Sequence, residues 1–410
     1  MKILGKVLNS EKLPTARGLT CFALVALAAS LSLLAGVATA QRPAEPKPLW
    51  QINERKLGVP RKSPDVVFKI MVFHGRFGFQ NNNTLFISWI TPDGPLPHLP
   101  KSGGPTPAVR VPSHLHVLFL DAKTGTRLRE RELSVPSGLT DLFISHSGNL
   151  IVYAGNSVKL YTPDFVFLSQ AEYPAPLKFD TIEISPGGRR IFLCSQQGLS
   201  WNTAVFDADD LKSLGFLPDG RHGCPARFGG DSFLFNASNG HDAMQSTIQS
   251  WESEPRNPTL RVASDPALVR LLDGDAFLVA NGSRMEVRTI DGKVLMTDTL
   301  PKKQGFTPWN AAEARDSTIF AVETTRVTLQ VEGLAPFPVL IPMHEPSDYQ
   351  IAVYDLKENR RIFAIKTRGI DQYALSPDGS LFATLSSTHM NLDVFLPISP
   401  SDSAAVYKLP

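Results

Sequence analysis

The sequence predicts an all-β fold built from repeated four-stranded antiparallel units, and three observations carry that expectation. The first is a recurrent hairpin. It reads Ile144-Ser-His-Ser-Gly-Asn-Leu-Ile-Val-Tyr153, Ile184-Ser-Pro-Gly-Gly-Arg-Arg-Ile-Phe-Leu193 and Leu375-Ser-Pro-Asp-Gly-Ser-Leu-Phe-Ala-Thr384. Each copy is a strand end, a Gly-bearing turn and a second strand. The second is spacing: Gly148 and Gly188 lie 40 residues apart, the length of one propeller blade. The third is a set of apolar strands that end at Asp, namely Val117–Asp121, Ala204–Asp207 and Ile351–Asp355. A carboxylate there can accept bonds from backbone N–H groups two residues on, which closes a turn.

With the period known, weaker copies of the hairpin appear. Arg227–Phe235 and Arg270–Val279 repeat the grammar, and Glu313–Val322 places Asp316 at the turn. Phe77–Trp89 places Asn82 or Asn83 there, and Asn tolerates the left-handed conformation nearly as Gly does. The turn markers are therefore Asn82, Gly148, Gly188, Gly230, Gly274, Asp316 and Gly379. Four steps of 40 to 44 residues are flanked by two longer ones, which predicts seven units with two insertions. The expected fold is a seven-bladed β-propeller of four-stranded antiparallel blades, occupying residues 66–410.

The two inserts are Thr91–Pro112 and Val331–Ser347, both rich in proline. Proline donates no ladder bond, so neither is expected to form regular strand, and both should project as loops that carry binding. No segment reads as a long amphipathic helix. The closing blade has two readings. Ile370–Ser376, Leu381–Ser387, Leu392–Leu396 and Ala404–Leu409 supply four strands, or Leu49–Arg55 adds the outer one and locks the ends together.

Residues 1–40 read as an export signal. Lys2, Lys6, Lys12 and Arg17 precede an apolar run from Leu19 to Ala38, which ends in Ala38-Thr39-Ala40 before Gln41. The rival reading is an uncleaved membrane anchor, since the run is nearly long enough to span. Residues 41–65 follow as a Pro-rich linker with the candidate ring-closing strand. The expected location is outside the cytoplasm, periplasmic or secreted, with membrane contact only if the anchor is kept. Export leaves Cys194 and Cys224, which an oxidising compartment allows to pair; two buried thiols are the alternative.

Without residues 1–40 the chain carries 37 basic and 38 acidic side chains, so no field draws it to nucleic acid. A content of 42% hydrophobic and 20% charged residues places it among ordered globular proteins.

The Ser-Pro-Asp-Gly turn at 376–379, its Ser-Pro-Gly-Gly counterpart at 185–188 and the strand-ending Asp residues resemble the YVTN and WD-type propeller repeat. No repeat carries the terminal Trp-Asp or the Gly-His pair of intracellular WD proteins. Together with the signal peptide, the resemblance implies the bacterial extracytoplasmic branch of that family. It implies the fold and leaves function open, because one architecture hosts unrelated activities.

Chemistry is sparse. The chain has no Cys-x-x-Cys-His, Gly-x-Ser-x-Gly, His-Glu-x-x-His or P-loop motif. His114 and His116 share a strand face and form a weak metal-ligand pair, with His98 as a third candidate; a strand-start histidine pair is the alternative. Asp141, Asp180, Arg227, Arg270, Trp309 and Asp371 fall at or before the first strand of their blades. They either line a channel mouth that orients a polar ligand or face water as strand-start residues. The expected function is a monomeric binding or scaffolding module for a protein or peptide, working through face loops and needing no cofactor. The alternative is a lactonase-like hydrolase acting from the channel mouth.

Overall fold

The computed structural model describes residues 46–58, 77–93, 113–136, 140–154, 157–172, 181–185, 187–197, 200–216, 228–229, 232–239, 243–250, 260–263, 268–272, 276–281, 284–289, 292–299, 306–334, 337–344, 349–367, 372–386 and 403–410. All belong to the compact unit Pro46–Pro410.

Among them the chain is all-β apart from one short helix. It begins with β1 (Trp50–Asn53) and α1 (Glu54–Leu57). Sheet I holds β2 (Phe77–Asn81), β3 (Thr84–Pro92), β4 (Ser113–Asp121) and β5 (Arg127–Val135). Sheet II holds β6 (Thr140–Ile144), β7 (Leu150–Ala154), β8 (Ser157–Tyr161) and β9 (Phe167–Glu172). Sheet III holds β10 (Thr181–Ile184), β11 (Arg190–Gln197), β12 (Ser200–Asp207) and β13 (Ser213–Phe216). Sheet IV holds β14 (Phe228–Gly229), β15 (Ser232–Asn239), β16 (Ala243–Ser250) and β17 (Leu260–Ala263). Sheet V holds β18 (Leu268–Leu272), β19 (Ala276–Asn281), β20 (Arg284–Thr289) and β21 (Val294–Thr299). Sheet VI holds β22 (Phe306–Glu313), β23 (Ile319–Leu334), β24 (Phe337–His344), β25 (Tyr349–Asp355) and β26 (Arg360–Thr367). Sheet VII holds β27 (Gln372–Leu375), β28 (Leu381–Ser386) and β29 (Ser403–Lys408), with β1 as its fourth strand.

Each sheet is antiparallel, and I to V are meanders in chain order, as in a β-propeller; VI adds β24 on β23 alone, and VII takes β1 as its outer strand. The core lies between sheets. One apolar cluster joins I and II through Val117, Phe119, Leu150 and Val152, and another joins II and III through Ile151, Leu160, Leu193 and Phe206. V meets VI through Leu278, Val287, Phe320 and Tyr354, and VI meets VII through Val353, Ile365, Leu375 and Phe382. The last sheet then meets the first, where Leu381 and Val406 pack with Leu85 and Leu118. Of the two closing readings the structure assigns the N-terminal one: Trp50 pairs with Val406 and Asn53 with Ser403. Residues 392–396 lie outside the described residues.

The expected turn chemistry is present. Gly148, Gly188 and Gly379 each stand between the first and second strands of their sheets with φ of 85°, 72° and 72°. A Cβ on Gly188 would come within 2.9 Å of the His146 backbone nitrogen, and one on Gly379 within 2.5 Å of Ile319 Cγ1. Three buried serines hold these turns from inside. Ser145 Oγ accepts from the Asn149 N–H, Ser185 Oγ from Arg189 and Arg190, and Ser376 Oγ from Leu381. The strand-ending Asp residues act locally: Asp121 accepts from the N–H groups of Lys123 and Thr124, Asp207 from Asp209, and Asp355 from Lys357. The Thr124 hydroxyl and N–H hold the Asp121 carboxyl below the ordinary aspartate range.

The Val331–Ser347 insert departs from expectation. It forms strand: β23 runs on past the sheet, and Val327–Leu334 pair with Phe337–His344. Proline was expected to exclude this. Pro338 and Pro342 are four residues apart, so their nitrogens fall on the same edge of β24. Among the described residues that strand pairs only with β23, which leaves its outer edge to host proline without losing ladder bonds. The result is an arm that extends sheet VI by about 25 Å, taking eight residues at the antiparallel rise. The Thr91–Pro112 insert connects β3 to β4; residues 94–112 lie outside the described residues.

Candidate functional site

In a meander, the first-to-second and third-to-fourth turns share one end of each sheet. The second-to-third connections share the other. The two ends of this molecule are built differently.

At the turn end, adjacent hairpins bond to one another. Asp316 N–H donates to Pro377 O across VI and VII at 2.9 Å, and Asp378 N–H donates to Asn82 Oδ1 across VII and I at 2.9 Å. Gln80 Nε2 donates to Gly148 O across I and II at 3.3 Å, and His146 N–H donates to Gly188 O across II and III at 2.8 Å. Arg315 spans farther. From sheet VI its guanidinium donates to Gln80 O of sheet I at 2.9 Å and to Ser145 O of sheet II. Burial, opposed by Asp316 and Asp209, lowers its pKa from the usual arginine range. Beside it, His146 Nε2 lies 3.8 Å from the Asp316 carboxylate. Asp209, in the β12–β13 turn, accepts from the Ser147 N–H and hydroxyl at 3.1 and 2.7 Å. Burial pushes the Asp209 carboxyl up, but bonds from Ser145 and Ser147 outweigh it and the net shift is downward.

The opposite end carries the arm, the β3–β4 connection and two polar groupings. The first lies on sheet I. His116 and Thr91 share a hydrogen bond of 2.7 Å between Nε2 and Oγ1, and the His116 ring stacks on Trp89 at 5.3 Å. Glu130 and Glu132 lie 3.6 and 3.8 Å from His116 Nδ1. His114 Nε2 contacts Asp93, and Glu132 Oε1 lies 2.7 Å from His114 Nδ1 without hydrogen-bond alignment. His114 and His116 thus face carboxylates and a hydroxyl. Among the described residues no three His, Cys, Asp or Glu side chains are arranged to hold a metal ion.

The second grouping centres on Glu323, near the base of the arm. It is 5% exposed, and its carboxyl has no hydrogen bond or ion pair among the described residues. Burial alone raises its pKa from 4.5 to about 7. Next to it, buried Thr324 donates its hydroxyl to Gln350 O at 3.3 Å.

Of the six channel-mouth candidates, Asp141 stands second in β6 and accepts from the Leu142 N–H at 2.9 Å. Arg270 and Trp309 stand in β18 and β22. Asp180, Arg227 and Asp371 lie outside the described residues, so the six are not seen as one site. Cys194 is fully buried in β11 and engaged in a disulfide; Cys224 lies outside the described residues. Arg315 and Glu323 were absent from the sequence-based candidates. Arg315 stands where the other hairpins carry Pro377, Pro186 or His146, and Glu323 interrupts the apolar run Ile319–Val322. Either break in the repeat was readable as a break, though not what it does.

No family model matches the chain, and no curated protein matches it. Solved structures do. A chain in the crystal structure of the mitotic checkpoint complex aligns with a TM-score of 0.48 and 14% identity, over 90% of this chain and 97% of that one. U3-55K aligns at 0.44 and 11%, over 73% and 92%. Hsv2 of Kluyveromyces lactis aligns at 0.40 and 12%, over 80% and 97%. The fold rests on the strand pairing described above.

Proposed function

We propose that this chain is an exported, seven-bladed WD-type β-propeller that binds a protein or peptide partner through the end bearing its second-to-third strand connections. The observation that supports this most is the asymmetry of the two ends. Hairpins and Arg315 interlock at one, whereas the other extends an arm of about 25 Å beyond sheet VI. A projecting segment held by a rigid scaffold is where recognition usually resides. Removal of residues 1–40 would place Cys194 and Cys224 where a disulfide between them persists.

Site-specific photocrosslinking tests the reading. A crosslinker at Leu340 in the arm should capture one reproducible partner, and one at Asp209 on the turn end should not. Capture from neither position, or equally from both, would overturn it. Sequencing the mature N-terminus should find Gln41 first, and non-reducing peptide mapping should join Cys194 to Cys224.

The hydrolase alternative draws on one observation, the Thr91–His116 hydrogen bond with two carboxylates behind the other ring nitrogen. Hydrolysis of a lactone or p-nitrophenyl ester that disappears in Thr91→Val and His116→Gln would replace the binding reading.

A further inference from the structure

Glu323 stands at a place where other sheets are not acidic. In sheet VI it pairs with Asn310 on the first strand and Ile351 on the third. The second strands of II, III and VII carry Ala154, Cys194 and Leu385 at the corresponding level, opposite Thr140, Thr181 and Gln372. All three are nonionic and buried. A carboxyl in such a position carries a desolvation cost that an apolar side chain would avoid.

The residues around it do not relieve that cost. Glu323 shares its face of sheet VI with Ala321, Ile351 and Val353, which pack against sheet VII. From β26 that face receives Phe363 and Ile365. Sheet VII answers with Tyr373 and Thr384, which pair with each other, and with Tyr407. Among the described residues none of these strands turns a lysine, arginine or histidine toward Glu323. Asp355 lies on the same β25 face but at the turn end, where its carboxylate serves the Lys357 N–H and the Thr318 hydroxyl. Nor is the carboxyl sealed off: neither of its oxygens is both fully buried and unpartnered.

We propose that Glu323 is a recognition site for an organic cation, an alkylammonium or guanidinium group that enters between sheets VI and VII at the arm-bearing end. A cation in contact stabilises the ionised carboxylate and supplies a counter-charge that none of the described residues provides. The carboxyl is largely protonated below about pH 7, so binding must expel its proton there. Affinity therefore climbs as pH rises toward 7 and levels off above it. The proposal rests on the binding function above and names the chemistry the partner presents; a free amine offers the same chemistry.

Calorimetry on the exported protein, in buffers of different ionisation enthalpy, separates these sources. The probes are n-butylamine and n-butylguanidine on one arm, and alanine-flanked lysine and arginine peptides on the other. Expected is release of about one proton per cation bound at pH 6 and almost none at pH 8, with affinity rising about tenfold per pH unit below 7. Glu323→Gln should lose at least tenfold in affinity together with the proton release, while its circular dichroism stays native. Binding of the small amines assigns the site to a free cation; binding of the peptides alone assigns it to a partner's side chain. Binding by neither probe class, or binding unchanged in Glu323→Gln, overturns the proposal. Arm crosslinking that persists while neither probe class binds would remove this inference and leave the binding reading standing.

Discussion

The two ends of the sheets solve opposite problems with similar residue types. At the turn end a buried cation, Arg315, is surrounded by carbonyl oxygens from two other sheets. At the arm end the carboxyl of a buried acid, Glu323, has no partner among the described residues. One charge is satisfied and ties distant parts of the chain together; the other opposes the fold that holds it. Desolvation alone does not distinguish them. The difference lies in how many preorganised dipoles face the group.

Four substitutions sharpen or break this contrast. Arg315→Ala removes the tie among sheets VI, I and II and leaves buried carbonyls unpaired. A loss of about 3–5 kcal/mol is expected by chemical denaturation, and a loss under 1 kcal/mol would show that the turn end does not depend on it. Gly379→Ala forces a side chain into positive φ and against Ile319, with an expected cost of about 2–4 kcal/mol.

Glu323→Leu should act in the opposite direction. Its folded pKa lies above the unfolded value, so the native state holds the extra proton between about pH 4.5 and 7 and loses stability as pH rises through that window. The variant should gain about 3 kcal/mol over wild type at pH 8 and little at pH 4; an equal gain at both pH values would contradict this. Asp209→Asn is the smallest. The Asp209 pKa is depressed, so its contribution is present at neutral pH and fades as pH falls through the folded value. A loss of about 1 kcal/mol at pH 7 that vanishes in strong acid is expected.

How far the sequence could be read follows the same division. The hairpins were legible because glycine, asparagine and aspartate act within a few residues, and Gly148, Gly188 and Gly379 stand in the expected turns. The proline insert was misjudged because the rule against proline applies to a strand paired on both sides, while β24 pairs on one. Arg315 and Glu323 were missed for a deeper reason. Their roles depend on groups more than 150 residues away or on the lack of any group, and local patterning reports neither. The histidine pair was found by strand alternation, but the carboxylates facing it come from β3's end and β5, which only pairing brings alongside.

The pairing of β1 with β29 also has a consequence in time. Gln51 Nε2 bonds Ser403 Oγ at 2.8 Å, so β1 completes its sheet with a strand made 352 residues later. Until Ser403 emerges, β28 presents a bare edge and sheet VII is half made. Contacts this distant in the chain slow folding and lengthen exposure to aggregation. A nascent chain stalled before residue 403 should therefore remain a client of holdase chaperones, released only when β29 arrives.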